Sequence, residues 1–182
     1  MRHAMPLMLT IALLVPSTVP GQENVAGAQV KRGEYLVTIA GCHDCHTPLV
    51  MGSNGPEPDM KRALSGHPQD LAIRAPAAVS EPWGGAFTPT STGWSGPWGV
   101  SFSANLTPDA ETGVLRDFTE QQFIQTMRTG RHQGQGRQIL PPMPWQNYGQ
   151  MSDEDLKAVF AYLRQIPSVK NRVPDPLPPA RQ

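Results

Sequence analysis

Five consecutive residues, Cys42-His43-Asp44-Cys45-His46, constrain this 182-residue chain more than any other part of it. They contain both cysteines of the sequence, in the pattern C-x-x-C-H. On one helical turn, the two thiols are spaced to bond the two vinyl groups of a haem, and the histidine after them can ligate the iron. Because the pattern occurs once, it predicts one covalent haem c, attached through Cys42 and Cys45, with His46 as the proximal axial ligand.

Other interpretations of the two cysteines stay open at this point. A thioredoxin-like redox pair opens a helix after a strand, and no β-rich run precedes Cys42. A structural zinc site needs four ligands, and the other histidines do not form the spaced pair that would complete one. A disulfide between Cys42 and Cys45 would leave His46 without a role.

Charge and composition narrow the choice of partner and of fold. Fifteen basic and fifteen acidic residues cancel, so bulk charge gives no reason to expect a nucleic-acid partner. Twenty prolines, seventeen glycines and a hydrophobic content of 38% predict a chain rich in loops. A bound haem would give such a chain a large apolar surface around which to pack.

The first residues resemble a secretory signal peptide, which we expect to span residues 1–21. A basic start at Arg2 precedes an apolar run from Leu7 to Val15 and a tail of small, turn-forming residues. Cleavage is expected after Gly21, with Ala28 as the second choice. The apolar run is about half the length that a membrane-spanning helix needs, which favours a signal over an anchor. The predicted location is therefore the periplasm, and the mature chain is expected to have no integral membrane segment.

Apolar spacing predicts three helices in a single domain covering residues 29–170. The first, Val30–Ala40, runs directly into the C-x-x-C-H pattern. Thr119 fits the cap of a second helix that ends at Gly130, and Ser152 fits the cap of the last one. An apolar stripe on the last helix has the spacing of a buried face: Leu156, Val159, Phe160 and Leu163.

The predicted domain contains a long irregular insertion, residues 47–107, in which prolines and glycines abound. It also contains three of the four tryptophans: Trp83, Trp94 and Trp98. Disordered segments are poor in aromatic residues, so we expect this insertion to be ordered and to wrap over the edge of the cofactor. Residues 171–182 are expected to form a Pro-rich tail, extended or mobile.

The sixth position of the iron decides the function, and Met143 is the predicted distal axial ligand. Prolines on both sides hold its backbone extended, so its thioether can be presented with little ordering cost. Met127 lies on a helix stripe and is expected to be core packing. His67 and His132 are rival ligands that we expect instead to be surface histidines, and an open sixth position is the remaining alternative.

Together these segments resemble a class I-type cytochrome c, and most closely the bacterial periplasmic cytochromes c that are similar to electron-accepting subunits of dehydrogenases. The resemblance covers residues 30–175. Besides Cys42–His46, it rests on these segments: Arg32–Leu36, Ser65–Pro68, Gly96–Gly99, Asn105–Asp109, Leu140–Trp145 and Asn171–Pro174.

The resemblance implies a mainly α, cytochrome c-like fold built around one covalent haem. It also implies that the first and last helices cross, with small and aromatic residues at their contact. The residues expected there are Gly33, Tyr35 or Leu36, and Phe160 or Tyr162.

The resemblance further implies a periplasmic, mono-haem electron-transfer protein that is not itself an enzyme. It would pass single electrons between redox partners, either freely or as the electron-accepting subunit of a dehydrogenase. The expected partners are a periplasmic dehydrogenase, a terminal electron acceptor, or both. The alternatives are a haem enzyme or small-ligand sensor with an open sixth iron position, and a non-haem module that uses the two thiols.

Overall fold

The computed structural model describes residues 20–179, with side chains from residue 25 onward. These residues contain five α-helices: α1 (Pro20–Ile39), α2 (Cys42–His46), α3 (Glu120–Thr129), α4 (Trp145–Tyr148) and α5 (Asp153–Leu163). The signal-peptide prediction falls almost entirely outside the described residues. Within 20–179, no helix is long and apolar enough to cross a membrane.

The first and last long helices, α1 and α5, cross in close contact, as the resemblance implied. A Cβ atom added at Gly33 would lie 2.6 Å from the carbonyl carbon of Ala158 and 2.7 Å from Cβ of Tyr162. Only a glycine lets the two backbones approach this far. Leu36 is buried at this side of α1, whereas Tyr35 is 54% exposed. Of the two alternatives for α1, Leu36 is therefore the residue inside.

The predicted caps of α3 and α5 are both confirmed. The Thr119 hydroxyl accepts from the Gln122 amide at 3.2 Å, and the Gln122 side chain accepts from the Thr119 amide at 2.9 Å. Gly130 ends α3 with φ of 65°, in the left-handed region. The Ser152 hydroxyl accepts from the Asp155 amide at 3.1 Å. These caps fix where the helices begin, and so which face each one buries.

One apolar core joins α1, α3 and α5. Its buried members are Leu36, Val37, Leu64, Leu115, Phe123, Ile124, Leu156, Ala158, Val159 and Leu163. Phe160 adds a tilted ring contact with Phe123, with centroids 5.3 Å apart. The apolar stripe predicted on the last helix therefore faces the core.

Residues 47–107 contain regular structure where the sequence predicted an irregular segment. A hairpin pairs β1 (Leu49–Gly52) with β2 (Gly55–Pro58), and an antiparallel sheet joins β3 (Ala86–Phe87), β4 (Gly93–Gly96) and β5 (Gly99–Phe102) in that order. The strands are two to four residues long and rich in glycine. Runs this short carry no readable alternation, so the prediction of irregular structure is wrong for them.

The Pro-rich segment from residue 171 to 179 is extended and held against the rest of the chain. The Asn171 side chain is 2% exposed and donates to the carbonyls of Ser65 and His67 at 2.7 and 2.9 Å. Further along, Leu177 and Val100 exchange backbone hydrogen bonds of 2.9 and 3.0 Å. Asn171 therefore belongs to the packed body rather than to a free arm.

Candidate functional site

The C-x-x-C-H pattern forms its own one-turn helix, α2, directly after α1. Gly41 separates the two helices with φ of 68°, a left-handed conformation that favours glycine. The side chains of Cys42, Cys45 and His46 all line one deep cleft. Both cysteines are free thiols, so the disulfide alternative is not formed. Burial raises the pKa of Cys42 to about 11 and also raises that of Cys45, which keeps both thiols protonated near neutral pH.

His46 is held in one tautomer by a backbone carbonyl from a distant segment. Its Nδ1 lies 2.8 Å from the carbonyl oxygen of Ala104. A carbonyl only accepts, so Nδ1 carries the proton and Nε2 keeps its lone pair. Burial lowers the pKa of His46, which favours the neutral imidazole. This is the form and the outer hydrogen bond that a metal-ligating histidine needs.

The segment that holds Ala104 is fixed by neighbouring backbone pairs. The Gly66 amide donates to the His46 carbonyl at 2.8 Å, and the His67 amide donates to the Ser103 carbonyl at 2.9 Å. These bonds join α2, the turn at residues 65–68 and the segment after β5. The orientation of the His46 ring therefore depends on chain segments far apart in sequence.

Three methionines line the cleft: Met127, Met143 and Met151. Met127 and Met151 also pack against the apolar core, and Met143 does not. Met143 lies in the proline loop that forms part of the cleft wall, and its side chain is half-buried. The placement of Met127 agrees with its expected role in packing.

The two rival histidines occupy different environments. His67 is fully buried and does not line the cleft, so the expectation of a surface histidine is wrong. Its Nε2 lies 2.9 Å from the Leu71 carbonyl and its Nδ1 lies 2.9 Å from the Thr92 hydroxyl. Both ring nitrogens are thus engaged, which removes His67 as a ligand. Its burial followed from tertiary contacts that a Pro-containing turn does not reveal.

His132 lies at the cleft, half-buried, and is a better-placed rival than the sequence indicated. Burial, helped by the nearby positive charge of Arg137, lowers the pKa of His132 to about 4. The imidazole is therefore neutral near pH 7 and could donate an electron pair.

The cleft encloses about 1310 Å³ of empty space, including the part open to solvent, and its walls are mainly apolar. Among the described residues that line it, Arg137 is the only one with a permanent charge. Trp94 and Phe102 bring the small sheet to the cleft, and Tyr148 brings α4. Trp94 belongs to the insertion that was expected to wrap over the edge of the cofactor. Phe102, Arg137 and Tyr148 were given no role from the sequence, although Arg137 and Tyr148 both lie within six positions of the predicted ligand Met143.

These features fit a haem. Two thiols, an imidazole with a free lone pair and a thioether all line one cleft, and the other side chains around it are mainly apolar. Family comparison agrees, since residues 30–167 match the family described as Cytochrome c. The chain belongs to the cytochrome c family, whose members bind haem c.

Several curated bacterial proteins are similar to the chain. It is 29% identical to the fructose dehydrogenase cytochrome subunit of Gluconobacter japonicus, over 97% of this chain and 32% of that protein. It is 30% identical to the gluconate 2-dehydrogenase cytochrome c subunit of Pantoea cypripedii, over 86% of this chain and 28% of that protein. The identity to the cytochrome c subunit of the quinone alcohol dehydrogenase of Gluconobacter oxydans is 27%, over 81% of this chain and 24% of that protein. The chain thus spans a third or less of the length of these relatives.

Proposed function

We propose that this protein is a mono-haem cytochrome c that transfers single electrons in the periplasm. Cys42 and Cys45 would hold the haem through thioether bonds, His46 would be the proximal axial ligand, and Met143 the distal one. One observation supports the proposal: a single apolar cleft is lined by both thiols, by the neutral His46 and by the Met143 loop.

A haem bound in this cleft supplies a one-electron Fe(III)/Fe(II) couple. The residues of the chain set its conditions. The bond from His46 Nδ1 to Ala104 keeps the imidazole oriented in both oxidation states. The apolar walls exclude water and so limit reorganisation during transfer. Arg137, which lines the cleft, could pair its positive charge with a carboxylate of the haem.

The partner we propose is a dehydrogenase, for which the chain would be the non-catalytic electron acceptor. Support comes from the relatives, which are themselves dehydrogenase cytochrome subunits. A terminal acceptor would take the electron onward. Redox encounters of this kind typically bury less than about 1,200 Å². Export by the predicted signal peptide would bring the chain to the compartment in which c-type haem is attached.

Absorption spectroscopy of the exported holoprotein tests the proposal. We expect haem that stays with the protein after acid-acetone extraction, and a weak far-red Met–Fe band in the ferric state. Met143→Ala should abolish that band and let cyanide bind rapidly. The matched controls Met127→Leu and Met151→Leu should keep it. Haem lost on extraction would contradict attachment through the two thiols.

The second candidate is a haem enzyme or small-ligand sensor, and the position of His132 at the cleft favours it. In that case the ferric wild type would lack the far-red band and bind cyanide rapidly without any substitution. If instead a bis-histidine spectrum were found and disappeared in His132→Ala, His132 rather than Met143 would be the distal ligand. Each outcome contradicts the Met143 assignment in a different way.

A further inference from the structure

The segment after Met143 contacts the chain just before α2. The Trp145 amide donates to the Met143 carbonyl at 2.9 Å, so α4 begins almost directly after the predicted ligand. The last residue of α4 is Tyr148, whose side chain also lines the cleft. Its hydroxyl donates to the Ala40 carbonyl at 2.8 Å. Ala40 is two positions before Cys42.

The Ala40 carbonyl is a suitable acceptor because it lies just past the end of α1. The carbonyls of a last helical turn have no partner within their own helix. Here the chain turns at Gly41 into α2, so α1 cannot continue and supply one. The Tyr148 hydroxyl, 108 positions away in sequence, donates the hydrogen bond that the Ala40 carbonyl would otherwise lack. Burial raises the pKa of Tyr148 to about 12, so its hydroxyl stays protonated and able to donate over the whole physiological range.

The other side-chain bonds of the Met143 loop lead elsewhere. The Ser101 hydroxyl, from β5, donates to the Pro141 carbonyl, and the Arg128 guanidinium, from α3, donates to the Gly149 carbonyl. Among the hydrogen bonds of residues 20–179, the bond from Tyr148 is the one that joins this loop to the segment bearing the two cysteines. It therefore fixes the distance between the Met143 loop and the residues that lead into α2.

We propose that Tyr148 is a positioning residue that keeps Met143 on the iron by tying the Met143 loop to Ala40. This inference rests on the proposed function, because it requires Met143 to be the distal ligand. An outward movement of the Met143 loop would take the thioether away from a bound haem, and the same movement would break the Tyr148 bond. A neutral hydrogen bond of this kind changes an opening equilibrium by about two- to tenfold.

Exchange kinetics in Tyr148→Phe test this role, since phenylalanine keeps the ring and removes only the hydroxyl. Ferric holoprotein is mixed with imidazole, and the observed rate is followed to its plateau at saturating concentration. That plateau is the rate at which Met143 leaves the iron. We expect it to rise about two- to tenfold in Tyr148→Phe, with the far-red band still present at neutral pH.

Tyr162→Phe is the matched control, because Tyr162 lies on α5 at the contact with α1 and does not line the cleft. Its plateau rate should equal that of the wild type. Urea unfolding of all three proteins measures stability separately: the free energy of unfolding of Tyr148→Phe should fall by no more than the loss of one neutral hydrogen bond, and that of Tyr162→Phe should stay close to the wild-type value.

The possible outcomes test the role of Tyr148 separately from the proposed electron-transfer function. An unchanged plateau in Tyr148→Phe, with the far-red band intact, would overturn the role of Tyr148 and leave the proposed function standing. An equal acceleration in Tyr162→Phe would overturn it too, since the effect would then be general loosening. A wild type without the far-red band would overturn both.

Discussion

Two parts of the cleft carry the proposed axial ligands, and they are built in different ways. We call them the His46 wall, formed by α2, and the Met143 wall, formed by the proline loop. The wall that carries His46 is a five-residue helix, in which the order of residues alone brings Cys42, Cys45 and His46 to one side. The wall that carries Met143 is a loop without helical or strand structure. That loop is positioned by bonds to three other parts of the chain, at Ser101, Arg128 and Ala40.

Because of this difference, the two proposed ligands depend on different contacts to stay in place. Local geometry and two thioether bonds would keep His46 beneath the iron even if a neighbouring contact were lost. Met143 depends on long-range contacts, each of which contributes about 1 kcal/mol when it is a neutral hydrogen bond. We therefore expect Met143 to be displaced more easily than His46. The orientation of His46 should be disturbed only by changes in the segment that holds Ala104.

His67→Phe should give the largest loss of stability. His67 lies beside the segment that holds Ala104, because its amide donates to the Ser103 carbonyl. The substitution keeps a ring of similar size but removes the partners of the Leu71 carbonyl and the Thr92 hydroxyl inside a fully buried site. We expect the free energy of unfolding to fall by about 2–4 kcal/mol. Urea unfolding of the holoprotein measures it.

Thr92→Val is the graded control for that experiment. It removes one of the two partners of His67 and keeps the other, at Leu71. Its loss should be clearly smaller than that of His67→Phe. An unchanged urea midpoint in His67→Phe would show that the His46 wall does not depend on this buried histidine.

Arg137→Gln tests the electrostatic contribution of the one permanently charged residue among the described residues that line the cleft. A positive charge near the iron favours the ferrous state, so its removal should lower the reduction potential by some tens of millivolts, on the order of 1 kcal/mol. Because the side chain is partly exposed, the shift should shrink at high ionic strength. Potentiometric titration measures it.

The control for that titration is Arg131→Gln. Arg131 is exposed, donates to the Gly136 carbonyl and does not line the cleft. The two variants remove the same charge, six positions apart. Equal shifts in both would mean that Arg137 acts only through the general field of the protein and has no particular place beside the haem.

The smallest effect is expected from Asp155→Asn, which loosens α1, the helix that leads into the His46 wall. Asp155 accepts from the Arg32 guanidinium at 2.9 and 3.2 Å, and this hydrogen bonding lowers the pKa of Asp155 below its ordinary 3.8. A lowered carboxyl pKa stabilises the fold above about pH 3.8, and that contribution disappears as the pH falls through the folded-state pKa.

The stability of wild type and Asp155→Asn should therefore differ at neutral pH and converge below about pH 3.8. The difference should be small and sensitive to salt, since half of the Arg32 side chain is exposed. Thermal unfolding across this pH range is the measurement. A difference that persisted unchanged at the lowest pH would show that the pair acts through packing rather than charge.

The α-helical part of the fold was predictable because its signals are local. Thr119 with Gln122, and Ser152 with Asp155, are caps read from residues three positions apart, and the structure forms both. Gly33 marks a place for close helix contact in the sequence of the first helix, and the family resemblance added that the last helix crosses there. The five short strands were not predictable, because their pairing depends on partners outside each run.

The sequence by itself determined the chemistry of the proposed site. Two thiols and an imidazole in five residues need no other part of the chain to be brought to one side of a helical turn, because bonded neighbours on a helix have fixed spacing. Likewise, prolines on both sides of Met143 restrict its backbone before any contact forms.

Only the tertiary structure decided what surrounds that chemistry. It buried His67, chose Ala104 as the acceptor for His46, brought Arg137 to the cleft and tied Tyr148 to Ala40. The acceptors at Ala104 and Ala40 are both backbone carbonyls. Every residue type offers a backbone carbonyl, so no pattern of side chains marks these two positions. Their selection depends on which distant segments meet, and that is settled when the chain packs as a whole.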